Sequence, residues 1–490
     1  MQTDLERPTA ERTASALPLL YLVVALIAAI ALSILTPPFL VSDEGAHAER
    51  EISMAHGYWL ALHTSQGIGA PVDTNLSHVA NDFRAIQDDV AARYPIARHR
   101  PDGRIPLALL VDDQKLQLSH ELAFAPFQNT AAYPATLYVP QMIGWRLAEA
   151  WKLTILHSLL LVRLLTAACC IAIGWLALRL CRFDRLLLFA YLLLPTVIGL
   201  AASASQDALL VIIAALIASV VSRAIAERRT LTRTELSVET LLLAAGIMAR
   251  PPYLPLALVL LLPSLQAGGR NGRRLLAPSL AIVLLTASLA TWQRMEPATD
   301  SYQSTHISPD GVDPKLQMGY LRAHPVRGAV TILKGTAVLA PNLAVKATYT
   351  LGWNDIYPPW LVYGLMLLSL AGFCVLVSWN GMPSWYARSL LIFALLAVIL
   401  GISFAEYLIW TPVGAHKLEG PLARYYLPLI PFALLLSSAD ARPWRNATAR
   451  RWFLSATVAV FLAVVCTTPW VIARRYYNAS PVRVLLTALR

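Results

Sequence analysis

The 490-residue chain is 57% hydrophobic and only 14% charged, and its mean hydropathy is +0.55. This composition excludes a soluble protein and places the chain in a lipid bilayer. The net charge of +11 does not indicate nucleic-acid binding, because the basic residues form short clusters between apolar stretches, as membrane anchoring predicts. The five cysteines lie in or at the ends of apolar stretches and predict neither disulfides nor a metal site.

Apolar stretches of spanning length recur along the chain. The first, residues 17–36, lacks a clear cleavage site and predicts a transmembrane helix, not a signal peptide. Two shorter helices are predicted at 238–249 and 253–265, on either side of Arg250. Further spans are predicted at 158–180, 186–204, 208–221, 275–292, 360–377, 389–410, 426–436 and 452–472. The fold class is therefore all-α integral membrane, with about eleven transmembrane helices.

Basic clusters between the apolar stretches set the predicted orientation, with the amino terminus and every cluster in the cytoplasm. The clusters are Arg179, Arg182 and Arg185; Arg223, Arg228, Arg229 and Arg233; Arg270, Arg273 and Arg274; and Arg442, Arg445, Arg450 and Arg451. Alternation of the spans requires that segment 133–151 does not cross the membrane. It also requires that the chain reverses direction at Arg250.

The predicted organisation has large polar loops on the extracytoplasmic side. Its segments are a cytoplasmic amino terminus (1–16), the first transmembrane helix (17–36), a large extracytoplasmic loop with the candidate catalytic site (37–157), a helix bundle (158–292), a second extracytoplasmic loop (293–359), carboxyl-terminal transmembrane helices (360–472) and a tail (473–490). The first loop is far longer than an ordinary linker. Its aromatic and apolar content predicts a small folded unit with interfacial helices on the membrane.

Asp43 and Glu44 follow the prolines that end the first helix, so a pair of carboxylates lies where the chain leaves the apolar core. A partly desolvated carboxylate becomes more basic and can take a proton from a hydroxyl group. The alternative is that Ser42 and Asp43 cap a helix over residues 44–56, whose first turn favours acidic groups. A divalent cation such as Mg or Mn could also bind Asp43 or Glu44, although the histidines show no metal-ligand spacing.

Four further segments carry candidate substrate-binding residues. Segment 133–141 is rich in proline and aromatic residues, which suits either an interfacial anchor or a substrate contact. Asp207 lies at a tight turn near the hydrocarbon. It is either a functional residue or the amino-terminal cap of the next helix. Arg250 and the segment with Lys417 and Arg424 place cations on the outer side, where they suit a lipid-linked phosphate or extend to ordinary headgroups.

Five spaced motifs cover most of the chain and resemble those of a known family. They are Ser-Asp-Glu-Gly-Ala-His at 42–47, the stretch from Tyr133 to Gln141, Ser-Ala-Ser-Gln-Asp at 203–207, Ala-Arg-Pro-Pro-Tyr-Leu-Pro-Leu at 249–256, and the stretch from Gly420 to Pro428. In this order they resemble bacterial membrane proteins of domain-of-unknown-function family 2142, which are similar to GT-C class glycosyltransferases that use polyprenyl-phosphate sugars. The chain departs from the family pattern at Ala135, Arg250 and Ala423.

The resemblance implies a GT-C-like architecture and an inverting membrane glycosyltransferase of the bacterial cytoplasmic (inner) membrane, with its active site outside. The donor would be a polyprenyl-phosphate-linked sugar, and the acceptor a cell-envelope glycan or lipid-linked acceptor. Asp43 or its neighbour Glu44 would be the catalytic base. The implied substrate-binding residues are His47, Tyr133, Tyr138, Gln141, Asp207, Arg250, Lys417, Arg424 and Tyr425. A lipid-linked glycan transporter or flippase, and a polysaccharide polymerase or ligase, are the alternatives.

Overall fold

The computed structural model describes residues 7–93, 104–267, 272–295, 311–353, 355–356, 358–382, 384–420, 422–438 and 447–489. Most of these residues are helical. The first half of the chain contains the helices α1 (Arg7–Leu35), α2 (Glu44–Ala55), α3 (Thr74–Arg93), α4 (Leu107–Asp113), α5 (Gln128–Ala131), α6 (Val139–Ala150), α7 (Ile155–Leu180), α8 (Arg185–Leu192), α9 (Pro195–Ala201), α10 (Gln206–Ala226) and α11 (Arg233–Ala249).

The second half continues the same pattern of long apolar helices and short connecting segments. It contains α12 (Leu262–Gln266), α13 (Gly272–Met295), α14 (Pro314–Ala323), α15 (Pro325–Thr348), α16 (Trp360–Leu376), α17 (Trp385–Ile409), α18 (Leu429–Ala433), α19 (Ala447–Tyr477) and α20 (Pro481–Ala488). Short 3-10 helices lie at Ala135–Leu137, Pro251–Leu261, Ala423–Tyr426 and Leu434–Leu436. Prolines interrupt regular α-helix in several of these segments because a proline has no backbone N–H to donate.

The first predicted loop is a folded unit, but it is not built from helices alone. It contains a three-stranded antiparallel sheet of β1 (Leu62–Thr64), β2 (Gly67–Asp73) and β3 (Leu122–Pro126), with β2 in the centre. Gly69 is required at the centre of β2, since a Cβ atom there would lie 1.9 Å from the carbonyl oxygen of Ala125. The predicted interfacial helices are therefore accompanied by a sheet that the sequence patterns did not indicate.

The helix α2 is the centre of this unit. All its residues from Glu44 to Met54 are buried, although many of them are polar. It packs against α6, β2, α3 and α5. Because buried polar groups need partners, this helix is held by specific hydrogen bonds and ion pairs as well as by apolar contacts.

The bundle has two ends, which we name after one residue at each. At the Asp43 end, α1 ends and α10 begins, and Arg250 contacts the first turn of α10. At the Arg182 end, α7 and α10 both end, and the backbone N–H of Arg182 donates to the Ser222 hydroxyl. The described basic residues between α7 and α8 and between α10 and α11 lie at the Arg182 end. Arg270, Arg442 and Arg445 lie outside the described residues.

Among the described residues, seven helices are long and apolar enough to cross a membrane: α1, α7, α10, α13, α15, α17 and α19. The chain is therefore an all-helical integral membrane protein apart from its small sheet. Several of the other predicted spans are shorter or broken, as at Pro195 between α8 and α9. The count of eleven spans stays a prediction.

The helix α15 lies within predicted loop 293–359, and its contacts favour a position along the Asp43 end. Before α15, Gln317 bonds to the segment after α17. In its middle, Gly335 packs against Leu418. After it, the carbonyl oxygen of Gly352 accepts a hydrogen bond from Ser42, 3.4 Å away. All of these partners belong to the Asp43 end, so this 24-residue helix, about 36 Å long, is better placed parallel to the membrane surface than across it.

Labelling of single cysteines from outside the cell tests the orientation. In a background without the five native cysteines, an impermeant thiol reagent should label Lys417→Cys in intact cells and Arg228→Cys only after permeabilisation. The reason is that positively charged loops stay in the cytoplasm. Labelling of Arg228→Cys from outside would show that the orientation is inverted.

The same assay tests α15 separately. Val326 and Val345, near its two ends, are 76% and 41% exposed. If α15 lies at the interface, both Val326→Cys and Val345→Cys react from the same side of the membrane. Reaction from opposite sides would make α15 a transmembrane helix.

Candidate active site

Asp43 stands between α1 and α2, with its backbone in the left-handed region (φ 64°). It occupies the N-cap position of α2, but its side chain makes no capping hydrogen bond. Instead, its Oδ1 accepts a hydrogen bond from the Asn129 side chain at 3.0 Å, and its Oδ2 pairs with Arg424. The capping interpretation of Asp43 is therefore not supported, since its carboxylate contacts residues far away in the chain.

Asp207 is placed by the first turn of α10. Ser205, and not Asp207, is the residue whose side chain caps this helix. The side chain of Gln141 donates to the Ser205 carbonyl oxygen at 3.3 Å and so connects this turn to α6. The Asp207 carboxylate accepts a hydrogen bond of 2.6 Å from Arg250, and its other oxygen lies 3.2 Å from Nε of Arg424.

Asp43, Arg424, Asp207 and Arg250 thus form a continuous series of ion pairs, which we call the charge cluster. It contains two carboxylates and two guanidinium groups, so its formal charges cancel. The side chains of Arg424, Asp207 and Arg250 are 9%, 5% and 13% exposed, whereas that of Asp43 is 28% exposed. Asp43 is therefore the member of the charge cluster that a substrate in solution reaches most readily.

Aromatic rings surround the arginines of the charge cluster. The guanidinium of Arg250 lies 4.0 Å from the ring centre of Tyr425 and 5.7 Å from that of Tyr133. The Tyr253 hydroxyl donates to the Tyr425 carbonyl oxygen at 2.8 Å and fixes that segment. Cation–π contacts of this kind hold a guanidinium in place while leaving its edge available for hydrogen bonds. The low exposure of both arginines does not fit side chains extended to ordinary headgroups.

His47 lies one turn after Asp43 on α2. Its Nδ1 and the Tyr138 hydroxyl share a hydrogen bond of 2.6 Å, and its ring stacks on Tyr133 with centres 6.0 Å apart. Burial lowers the pKa of His47 to about 4, against the opposing effect of Asp207 and Asp43. His47 is therefore neutral near pH 7 and positions its aromatic neighbours without adding charge to the site.

The ionisation of Asp43 depends on Arg424. Burial raises the pKa of Asp43, but the charge of Arg424, its hydrogen bond and the neighbouring His47 outweigh burial, so the pKa lies below its usual value. Because His47 is itself neutral near pH 7, Arg424 is the main cause. Asp43 is thus an ionised carboxylate in this arrangement, and its basicity is held down by one identifiable partner.

Glu44 has a different environment from its neighbour. It is fully buried, and Arg163 of α7 donates to both of its carboxylate oxygens, at 2.8 and 2.5 Å. The backbone N–H of Ala204 donates to Oε1 at 2.9 Å. Arg163 also donates to the carbonyl oxygens of residues 33, 36 and 37, at the end of α1. With its oxygens occupied and no access for a substrate, Glu44 is better explained as a structural residue than as a base.

The structure brings most of the sequence-predicted residues together. Those in or against the charge cluster are Asp43, His47, Tyr133, Tyr138, Gln141, Asp207, Arg250, Arg424 and Tyr425. Lys417 is exposed, and the described contacts of the charge cluster do not include it. Sequence analysis missed Asn129, which lies in no recognisable pattern. It also missed Arg163, although a charged residue inside an apolar span is a signal that a buried partner exists.

The described residues favour no metal centre. No three His, Cys, Asp or Glu side chains among them lie close enough together to hold an ion. Both carboxylates of the charge cluster face arginines, and a cation would compete with these. The predicted alternative of Mg or Mn at Asp43 or Glu44 stays untested, and the donor set around them does not support it.

The apolar helices define this chain as a multi-pass membrane protein. It belongs to the family described as Predicted membrane protein (DUF2142), whose profile matches residues 26–433, most of the chain. The matched region includes every member of the charge cluster. No curated protein and no solved structure gave a significant match to the chain.

Removal of the Glu44 charge should destabilise the protein. Glu44→Gln leaves the buried Arg163 without its counter-ion, and breaking one side of a buried ion pair typically costs about 3–5 kcal/mol. We expect a lower thermal unfolding temperature in detergent. The control is Glu227→Gln, which removes exposed ion pairs with Arg223 and Arg229 and should change the unfolding temperature little. Equal stability of the two variants would contradict the structural role of Glu44.

Proposed function

We propose that this protein is a membrane glycosyltransferase that transfers a sugar from a polyprenyl-phosphate donor to a hydroxyl of a cell-envelope glycan or lipid-linked acceptor. The observation that supports it best is the convergence of five distant motifs on the charge cluster. A partly exposed carboxylate stands beside two buried arginines, which is the combination needed to activate a hydroxyl and to stabilise a departing phosphate. The expected similarity between this family and GT-C enzymes points the same way.

The proposed reaction is a single displacement. Asp43 takes the proton of the acceptor hydroxyl while the hydroxyl oxygen forms a bond to the anomeric carbon. The bond from that carbon to the phosphate oxygen breaks, and its electron pair leaves with the polyprenyl phosphate. Because attack and departure occur on opposite faces of the sugar, the configuration inverts. Arg424 and Arg250 stabilise the negative charge that develops on the phosphate.

The surroundings suit a lipid-linked substrate. The charge cluster lies at the Asp43 end of an apolar bundle, so a phosphate headgroup can reach it while its isoprenoid chain stays in the hydrocarbon. The basic residues at the Arg182 end support a cytoplasmic position for that end. The site would then face the outside of the bacterial cytoplasmic membrane, where sugar nucleotides are absent and lipid-linked sugars serve as donors.

The role of Asp43 is tested in membrane vesicles supplied with labelled polyprenyl-phosphate sugars. Asp43→Asn should lower turnover about 100-fold to 10,000-fold, the usual loss on removing a general base, with donor binding retained. The control is Asp112→Asn, which removes an exposed carboxylate of the same loop and should leave the rate unchanged. Donor crossing the bilayer without any sugar transfer in the wild type would indicate a transporter instead.

Arg424 tests the phosphate contact independently of the base. A planar guanidinium binds two phosphate oxygens at once, and a lysine replaces it poorly. Charge-assisted hydrogen bonds contribute about 1.5–3 kcal/mol, so Arg424→Ala should weaken donor binding roughly tenfold to a hundredfold. Arg424→Lys should also lose activity with every acceptor, whereas Arg146→Lys, an exposed control, should not. Unchanged donor binding in both Arg424 variants would contradict the assignment and leave Arg250 as the phosphate ligand.

A further inference from the structure

The partners of Asp43 conflict with its use as a base in the observed arrangement. A base must offer an oxygen lone pair to the incoming hydroxyl. Oδ2 of Asp43 is covered by the guanidinium of Arg424, which also lowers the basicity of the carboxylate. The arrangement therefore describes an ionised but masked carboxylate.

The attachment of Arg424 is incomplete on its other side. Its Nη1 donates to the Ser42 carbonyl oxygen at 3.1 Å. Its Nε lies 3.2 Å from Oδ2 of Asp207, but the two do not form an aligned hydrogen bond. Both of these atoms are buried without a hydrogen-bond partner. A buried N–H that faces a carboxylate without an aligned hydrogen bond can still donate to a ligand oxygen that reaches it.

Asp43 has a second partner that does not depend on Arg424. The amide of Asn129, at the start of α5, donates to Oδ1, which is not the oxygen that pairs with Arg424. If Arg424 moves, Asn129 still orients Asp43, and Oδ2 becomes free. The carboxylate can thus change its ionic partner without losing its position.

We propose that the donor phosphate takes Arg424 away from Asp43, so that Asp43 acts as a base only in the donor complex and the donor binds before the acceptor. This inference rests on the proposed function. The neutral charge cluster has no spare cation, so an added phosphate must share a guanidinium that already has a carboxylate partner. A mobile phosphate competes for Arg424 best where the existing contacts are incomplete, which is beside its Nε.

The exchange predicts the direction in which the pKa of Asp43 changes when phosphate binds, and this direction can be measured. Loss of the Arg424 charge and arrival of an anion both raise the pKa of Asp43, and burial acts in the same direction. A pKa that is higher in the complex means that phosphate binding takes up protons at a pH between the two pKa values. The uptake is at most one proton per site and disappears as the pH rises above the higher pKa.

The test is calorimetric titration of purified protein in detergent with the methyl ester of polyprenyl phosphate. This phosphodiester carries one charge and does not itself titrate between about pH 5 and pH 8, so any proton taken up belongs to the protein. Titrations in two buffers of different ionisation enthalpy give the number of protons bound. We expect uptake in the wild type that decreases with rising pH, and a smaller uptake in Asp43→Asn, which should still bind the diester and in which only Asp207 and His47 remain to respond.

Three results separate this inference from the proposed function. Binding with proton uptake that depends on Asp43 supports the exchange. Binding without uptake at any pH overturns the exchange and leaves the phosphate site intact. Failure of the wild type to bind the diester overturns both. As a further check, Arg424→Gln breaks the pair in advance, so it should bind more weakly and show less proton uptake than the wild type at the same pH.

Discussion

The buried ion pair between Arg163 and Glu44 is the interaction on which the site depends. Arg163 binds three carbonyl oxygens at the end of α1 as well as the first residue of α2, and Glu44 accepts the N–H of Ala204 just before α10. Unpaired carbonyl oxygens at a helix end are costly, and so is a charge inside an apolar bundle. Here the Arg163 guanidinium donates to the carbonyl oxygens at the end of α1, so both costs are reduced. The pair thereby fixes the positions of Asp43, one residue before Glu44, and of Asp207, three residues after Ala204.

The neighbouring carboxylates of Asp43 and Glu44 consequently have different environments. Glu44 points into the bundle, where its charge is compensated on all sides, and Asp43 points towards the charge cluster with partial exposure. The left-handed backbone at Asp43 separates the two directions, and a non-glycine residue in that conformation is held there only by strong surrounding contacts.

Much of the site could be predicted from the sequence because its residues break local rules. Asp207 and Arg250 are charged residues beside apolar stretches, and the prolines before Asp43 mark a helix end at which a carboxylate pair needs an explanation. Asn129 could not be predicted in this way, since an asparagine in a polar loop has no distinguishing pattern. The sheet was missed because β1 and β3 are short and exposed, so they carry no periodic signal.

The sequence by itself determined that the chain is a helical membrane protein, where its apolar helices lie and which family motifs it carries, because composition and hydrophobic runs are local properties. The tertiary structure alone decided which charges meet. Residues 43 and 424 are 381 positions apart, and nothing local links them. It also decided that Glu44 pairs inward while Asp43 faces the cluster. These pairings form because a buried charge needs an opposite charge close to it, and here the two charges come from segments far apart in the sequence.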